Sequence, residues 1–431
     1  MKSTTKVTES RKIALEIMRA IRSGELADRA FVRLVRDVPA RERAWLYELI
    51  YGTLRLQGRL DYILDGFVKR GVAKLDADVH DILRLGAYQL LEMHSVPPYA
   101  AVSQSVEMTR ASRARSAGGL VNGVLQSLER GKHELPHDAA RWSSHPAWLL
   151  ERWRRRFGWE ETLALTEANN LRPELYLRPI GMTADVAQQQ LQARGVASVT
   201  LAAAPDALRV DSEAPVTEVL AALPSIVQDP AAGLVARYAG LRAGVIADVC
   251  AAPGGKAIAL ADGLQNGWVL ASDVSRARMQ RIVENVQRLG RLPLHIAVAD
   301  ARFPIVRRVD GVLLDAPCTG TGTLRRHPDG KWRIGAQDLA ALVELQRELL
   351  DAAAAVVERG GVLVYSTCSI EEEENERQVH SFLERHNGAF RLAAPSSWHD
   401  DRQLNAEGML LMLPHRHGFD GAFAARLERV A

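Results

Sequence analysis

Only three cysteines occur in 431 residues, at 250, 318 and 368. None lies at C-x-x-C spacing from another, and an odd count without that spacing excludes a disulfide framework and a cysteine-ligated zinc site. No apolar run reaches the roughly 20 residues that a membrane helix needs, and no signal-like apolar segment stands at the N-terminus. A cytoplasmic protein is therefore expected, with no membrane partner and no metal. Net charge is also scarce: 55 Lys and Arg oppose 52 Asp and Glu, leaving +3. Hydrophobic residues make up 47% and charged residues 25%, the composition of an ordinary globular chain long enough for two or three domains.

The small net charge hides an asymmetry. Residues 1–135 hold 22 Lys and Arg against 16 Asp and Glu, whereas the remainder holds 33 against 36. A basic module joined to a near-neutral one points to a polyanionic partner.

Residues 1–135 show the periodicity of a helical domain. Ile13, Ile17 and Ile21 recur every four positions, an apolar stripe on a helix. Pro97-Pro98 starts a further helix, and Arg110, Arg113, Arg115 and Arg130 lie among small residues where one face could track phosphates. Residues 131–145 have the composition of a linker, and Met1–Lys6 of a frayed end. Trp148, Trp153 and Trp159 then alternate with Arg152, Arg154, Arg155 and Arg156. That pattern suits base stacking plus phosphate contact, and equally an amphipathic helix with a tryptophan core. Residues 143–229 read as a small α+β module, with short strands at 175–178 and 199–201 and a helix near 184–194.

From 230 to 431 strand and helix alternate, as in a Rossmann-like, doubly wound parallel sheet. Strands are predicted at 245–249, 268–272, 294–298, 310–314 and 361–366, with helices at 255–264, 275–289 and 336–358. Ligands of such sheets bind beyond the carboxyl ends of the strands. There the first strand runs into Asp248-Val249-Cys250-Ala251-Ala252-Pro253-Gly254-Gly255-Lys256, and a helix opens from the glycines. Neither G-x-G-x-x-G nor a P-loop fits this order, because Cys250 stands where a P-loop has its first glycine and Ala257 where Ser or Thr should follow the lysine. Glycines admit a close ligand, and the free N–H groups of the first helical turn point at it. Asp273 ends the next strand, about twenty residues on, where an acid binds ribose hydroxyls. A nucleoside cofactor is expected, and a second acid, Asp300, follows the third strand.

Two thiol motifs stand at later strand ends: Asp315-Ala316-Pro317-Cys318-Thr319-Gly320-Thr321-Gly322 and Ser366-Thr367-Cys368-Ser369-Ile370. Two thiols, a carboxyl and a nucleoside cofactor suit methylation of a pyrimidine at carbon 5. That carbon becomes nucleophilic only after a thiolate adds to carbon 6, and a base must later take its proton.

These motifs, with Arg325-Arg326-His327-Pro328-Asp329-Gly330-Lys331-Trp332 and the glycine stretch, resemble those of the RNA 5-methylcytosine methyltransferases. Val227-Gln228-Asp229-Pro230 and Gly418–Ala424 match the same family, and the helical N-terminus resembles a NusB domain. The likeness runs through nearly the whole chain. It implies S-adenosylmethionine as cofactor and a cytosine of small-subunit (16S) ribosomal RNA as target. It further implies Cys368 as nucleophile, Cys318 in release, and Asp315 beside the cytosine and the sulfonium. Asp273 would hold the ribose and Asp300 the adenine, while Cys250, Ala251, Ala252, Pro253, Gly254, Gly255 and Lys256 cradle the methionine part. Thr319, Gly330 and the acidic run Glu371–Glu374 depart from the family's usual residues.

Three other readings stay open: the same chemistry on another RNA such as transfer RNA, a non-catalytic RNA-binding or ribosome-assembly protein on this fold, and a small-molecule methyltransferase. Retention of Cys318, Cys368 and Asp315 weighs against the second, and the arginine-rich modules against the third. A monomer is expected.

Overall fold

A computed structural model describes residues 7–132, 135, 137–210, 215–395 and 398–431. Met1–Lys6, expected to fray, lies outside the described residues, as do 133, 134 and 136 of the expected linker. Two compact units emerge, one of Met1–Arg172 with Leu324–Arg333, the other of Pro173–Thr323 with Ile334–Ala431.

The first unit is helical throughout its described residues. Helices Glu9–Arg22, Ala40–Arg55, Ala77–Leu91, Pro98–Ala111 and Gly118–Gly131 bury one continuous core that includes Ile17, Leu49, Ile50, Leu83, Leu85 and Leu125. Asp76 caps the third of these by accepting from the Asp78 N–H, and Pro98 occupies the first turn of the fourth, where its missing N–H costs nothing. A short helix, Ala139–Trp142, forms within the expected linker.

Helix Ala147–Phe157 decides the tryptophan–arginine question residue by residue. Trp153 is buried and meets the ring of His145, and Arg154 and Arg155 pair with Glu151. Core packing therefore accounts for Trp153, while Trp159 stays exposed.

Leu324–Arg333 belongs to this helical unit through its buried side chains. Lys331 donates to the Arg55 carbonyl (2.7 Å) and to Asn170 Oδ1 (3.1 Å), and the Trp332 indole donates to the Leu54 carbonyl (3.0 Å). Burial holds the Lys331 ammonium's pKa well down, with Arg55 and Arg59 adding repulsion.

The second unit opens with a four-stranded antiparallel sheet. Its strands are β1 (Leu175–Pro179), β2 (Ser198–Thr200), β3 (Leu208–Val210) and β4 (Ser225–Val227), in the order β2-β3-β1-β4. Helix Ala184–Gln192 covers it, burying Ala184, Ala187 and Leu191 against Leu177 and Leu208.

The larger sheet holds β5 (Ala243–Asp248), β6 (Asn266–Asp273), β7 (Leu294–Val298), β8 (Val309–Asp315), β9 (Val357–Thr367), β10 (Phe390–Leu392), β11 (Leu410–Met412) and β12 (Ala422–Arg429). Strands β9-β8-β5-β6-β7 are parallel in that order. Alternation places Leu313 and Val364 in the core on one face and Val312, Leu314 and Leu363 in the core on the other.

The sheet is mixed rather than wholly parallel, which corrects the expectation of a purely parallel one. β12 runs antiparallel to β9, with β10 and β11 antiparallel to β12. The chain re-enters at the carboxyl end of β9, where Phe423 faces Thr367. From that end it can pair without a crossover only by running back, and it covers the edge β9 would otherwise leave open.

Candidate active site

Strand order brings the thiols together. β8 and β9 are parallel neighbours with Asp315 opposite Ser366. Their carboxyl ends therefore share one level, and the turns that follow carry Cys318 and Cys368. The two sulfurs lie 3.3 Å apart. This contact and burial push the Cys318 thiol's pKa well up, and Cys368, Glu374 and Asp315 add to it electrostatically. The neighbouring sulfur and burial thus favour the protonated form of Cys318.

Gly322 makes that approach possible. Its N–H donates to the Cys368 carbonyl (2.9 Å), and its carbonyl accepts from the Gly421 N–H (2.7 Å). A Cβ at 322 would stand 2.7 Å from the Cys368 carbonyl oxygen and from the Gly421 Cα. Backbone cannot retreat as a flexible side chain can, so only glycine fits.

Asp315 lies at the end of β8. Its Oδ2 accepts from Lys256 Nζ at 2.7 Å and its Oδ1 from the Ser366 hydroxyl at 2.9 Å. Burial opposes the Lys256 charge, but Asp315, by attraction and hydrogen bond, outweighs it and holds the ammonium's pKa up.

The glycine stretch forms the turn between β5 and helix Gly255–Asp262. Gly254 has φ of 105°, and a Cβ there would come within 2.5 Å of Ile282, so no larger residue fits. Ala251, Ala252 and Gly254 are buried, Cys250, Gly255 and Lys256 half-buried, and Pro253 exposed. Cys250 stands apart from the other two cysteines in chemistry: burial, then Asp248, Asp315 and Asp273, push its pKa up and leave it an inert thiol.

Asp273 ends β6 as expected. Its oxygens accept from the Ala252 N–H (3.3 Å) and the Ser275 N–H (2.8 Å), and Arg278 approaches at 3.6 Å. Asp300 follows β7, where Arg302 grips both oxygens at 2.7–3.1 Å and holds its pKa down.

Several site groups carry no signal of their own in the sequence. Asp248 is wholly buried, and neither of its oxygens meets a hydrogen-bond partner at good geometry. Burial and then Asp315 raise its pKa well above the carboxylate range, with Lys256 opposing. Ser366, Thr319, Ser369, Gln346 and Glu374 knit the thiol turns together. Position alone could have pointed to most of them, since Ser366, Thr319 and Ser369 stand within two residues of a cysteine.

The arrangement suits a cationic nucleoside. Asp273 and Asp315 stand at the carboxyl ends of β6 and β8 beside the glycine turn, with Arg278 3.6 Å from the first and Lys256 2.7 Å from the second. Their oxygens can accept from the hydroxyl and ammonium groups of such a ligand, and the βα turn admits it closely.

The sequence profile described as 16S rRNA methyltransferase RsmB/F matches residues 242–428, that of the NusB family residues 8–130, and an RsmF/B-like ferredoxin-like domain residues 145–217. The chain is 35% identical over 433 residues to ribosomal RNA small subunit methyltransferase B of Citrobacter koseri, covering 96% of this chain and 97% of that one. The chain belongs to this family. Identity to the protein of the same name from Vibrio cholerae is 36% over 412 residues, 91% of each chain. Among solved structures, that of PH0851 superposes with a TM-score of 0.81 at 28% identity over 98% of this chain and 99% of that one. NSun6 of Pyrococcus horikoshii shares the fold, with a TM-score of 0.57 at 22% identity over 66% of this chain and 98% of that one.

The protein is thus a ribosomal RNA methyltransferase that uses S-adenosylmethionine, with an all-α NusB domain, a ferredoxin-like module and a Rossmann-like catalytic domain. No described helix is long and apolar enough to cross a membrane.

Proposed function

We propose that this methyltransferase modifies carbon 5 of a cytosine in 16S ribosomal RNA through a covalent bond between Cys368 and cytosine carbon 6, with Cys318 acting in release. The observation that carries this reading is the 3.3 Å approach of the two sulfurs beside the Lys256–Asp315 pair.

The chemistry follows from how protons are held. With the proton held on Cys318, Cys368 adds as thiolate to carbon 6, and the double-bond electrons move toward carbon 5 as N3 takes a proton from water. Asp315, fixed by Lys256 and Ser366, is the hydrogen-bond partner that stabilises the protonated N3. When bound, S-adenosylmethionine would supply an electrophilic methyl group to carbon 5 and leave as S-adenosylhomocysteine. Once Cys368 is consumed in the C–S bond, the anion that raised the Cys318 pKa most is gone. Cys318 can then surrender its proton to water and, as thiolate, take the proton from carbon 5. The electrons left behind re-form the double bond and expel the Cys368 sulfur, and N3 returns its proton to water.

The cradle Cys250–Lys256 would hold the methionine part, Asp273 the ribose hydroxyls, and Asp300, alongside Arg302, the adenine. Residues 1–135 and 143–229 would bind RNA ahead of the catalytic domain 230–431, and the protein would act as a monomer.

Bisulfite sequencing of ribosomal RNA from a strain lacking the gene tests the target. One 16S cytosine should lose protection, regain it with the wild-type gene, and stay unprotected with Cys368→Ala. Intact 16S protection, or loss confined to transfer RNA, would refute the assignment.

A further inference from the structure

Glu374 is fully buried, carries an acid, and takes no part in the chemistry above. A run of four glutamates such as Glu371–Glu374 is ordinarily a solvated stretch. Here, instead, Glu374 Oε1 accepts from the Thr319 N–H (2.8 Å) and from Gln346 Nε2 (2.9 Å), and its Oε2 accepts from the Thr319 hydroxyl.

The same groups reach both thiol turns. Gln346 Nε2 also donates to the Pro317 carbonyl (2.8 Å), which fixes the residue before Cys318. The Thr319 hydroxyl meets the Ser369 hydroxyl at 3.1 Å, joining the residues that follow the two cysteines. From the other side, the Glu374 carbonyl accepts from the Tyr365 hydroxyl (2.6 Å), and Asn375 binds the Thr367 hydroxyl (2.6 Å) and the Ser369 carbonyl (2.9 Å). Each cysteine is therefore gripped on both flanks, and Glu374 holds Thr319 at two atoms. Burial raises its pKa, while the bonds it accepts draw it back.

We propose that Glu374 is a positioning residue, a buried clamp that sets the Cys318–Cys368 separation by holding Thr319 and Gln346. The clamp acts through hydrogen bonds. A glutamine keeping its carbonyl at the Oε1 position would still accept from Thr319 N–H and Gln346, and its amide would donate to the Thr319 hydroxyl, which can turn toward Ser369. Alanine would free Thr319 and leave Gln346 without that acceptor.

The inference rests on the two-thiol reading for its effect on rate, but the spacing can be measured without RNA. Diamide-driven disulfide formation between Cys318 and Cys368, followed by peptide mass spectrometry, reports how often the sulfurs meet. Glu374→Ala should slow cross-linking and methyl transfer together, the latter on the order of a hundredfold in kcat, since an ångström of misplacement costs that much. The KM for RNA and the affinity for S-adenosylmethionine should hold, and Glu374→Gln should restore both rates to within a few-fold. Wild-type cross-linking in a folded Glu374→Ala protein would overturn the clamp, as would a Glu374→Gln protein as impaired as Glu374→Ala. If cross-linking slows but Cys318→Ala gives no RNA adduct, the clamp stands and the proposed chemistry falls.

Discussion

The sulfur of Cys318 lies 3.3 Å from that of Cys368 although fifty positions separate them in the chain. The contact puts each thiol within hydrogen-bond reach of the other, on turns that follow neighbouring parallel strands. If addition and elimination are separate steps, removing the second group accumulates what the first has made. Cys318→Ala should therefore form a protein–RNA adduct that survives a denaturing gel, and Cys368→Ala should form none. The reverse pattern would exchange the roles.

Asp273→Ala should weaken S-adenosylmethionine binding by about 1.5–3 kcal/mol, the scale of hydrogen bonds to a charged group. The carboxylate also accepts from the Ala252 and Ser275 N–H groups, so Asp273→Asn, which keeps the side chain's shape, is the companion variant. Calorimetric titration on proteins of matched thermal stability reads the effect. Unchanged affinity in a folded Asp273→Ala would remove this residue from the cofactor site.

Asp248 should make stability depend on pH in a defined direction. Its folded pKa is raised by burial, so the folded chain keeps a proton that the unfolded chain has released. Below the ordinary carboxylate range, about pH 4, both states hold the proton and no penalty exists. As pH rises through that range the unfolded state gains by ionising, and stability falls until the folded pKa is reached. Asp248→Asn removes the penalty. Without ligand, its melting temperature relative to wild type should climb as pH rises above about 4, and a difference independent of pH would show that Asp248 is ionised in the fold.

Gly322→Ala should destabilise the catalytic unit by about 1–3 kcal/mol, the usual cost of overpacking, because the new methyl meets backbone rather than a movable side chain. Denaturant unfolding gives the magnitude. A variant as stable as wild type would mean that the turns around Cys368 and Gly421 yield more easily than their hydrogen bonds suggest.

Arg110, Arg113, Arg115 and Arg130 are exposed in the helical unit. Replacing all four by glutamine should lower RNA affinity and flatten its salt dependence, by about 0.7 in log–log slope for each phosphate no longer neutralised. Binding to S-adenosylmethionine should not change. An unaltered salt slope would place the RNA-binding surface elsewhere.

Local pattern alone determined much of this protein. The strand–glycine–helix junction at Asp248–Lys256 follows from neighbours in the chain, as do the acid ending β6 and the two cysteines beyond strand ends, because periodicity and turn chemistry act over a few residues. The helical N-terminal domain was legible for the same reason. What sequence could not decide is whatever depends on strand order or on burial. The pairing of β8 with β9 brings Cys318 to Cys368, and the antiparallel return of β12 to β9 makes the sheet mixed. Burial turned Trp153 into core, made Cys250 inert, left Asp248 without a good partner, and drew Glu374 out of an acidic run into the clamp beside the thiols. A residue's type states which bonds it can make, but its pKa and partners are set by what distant segments pack around it, and those segments meet only in the fold.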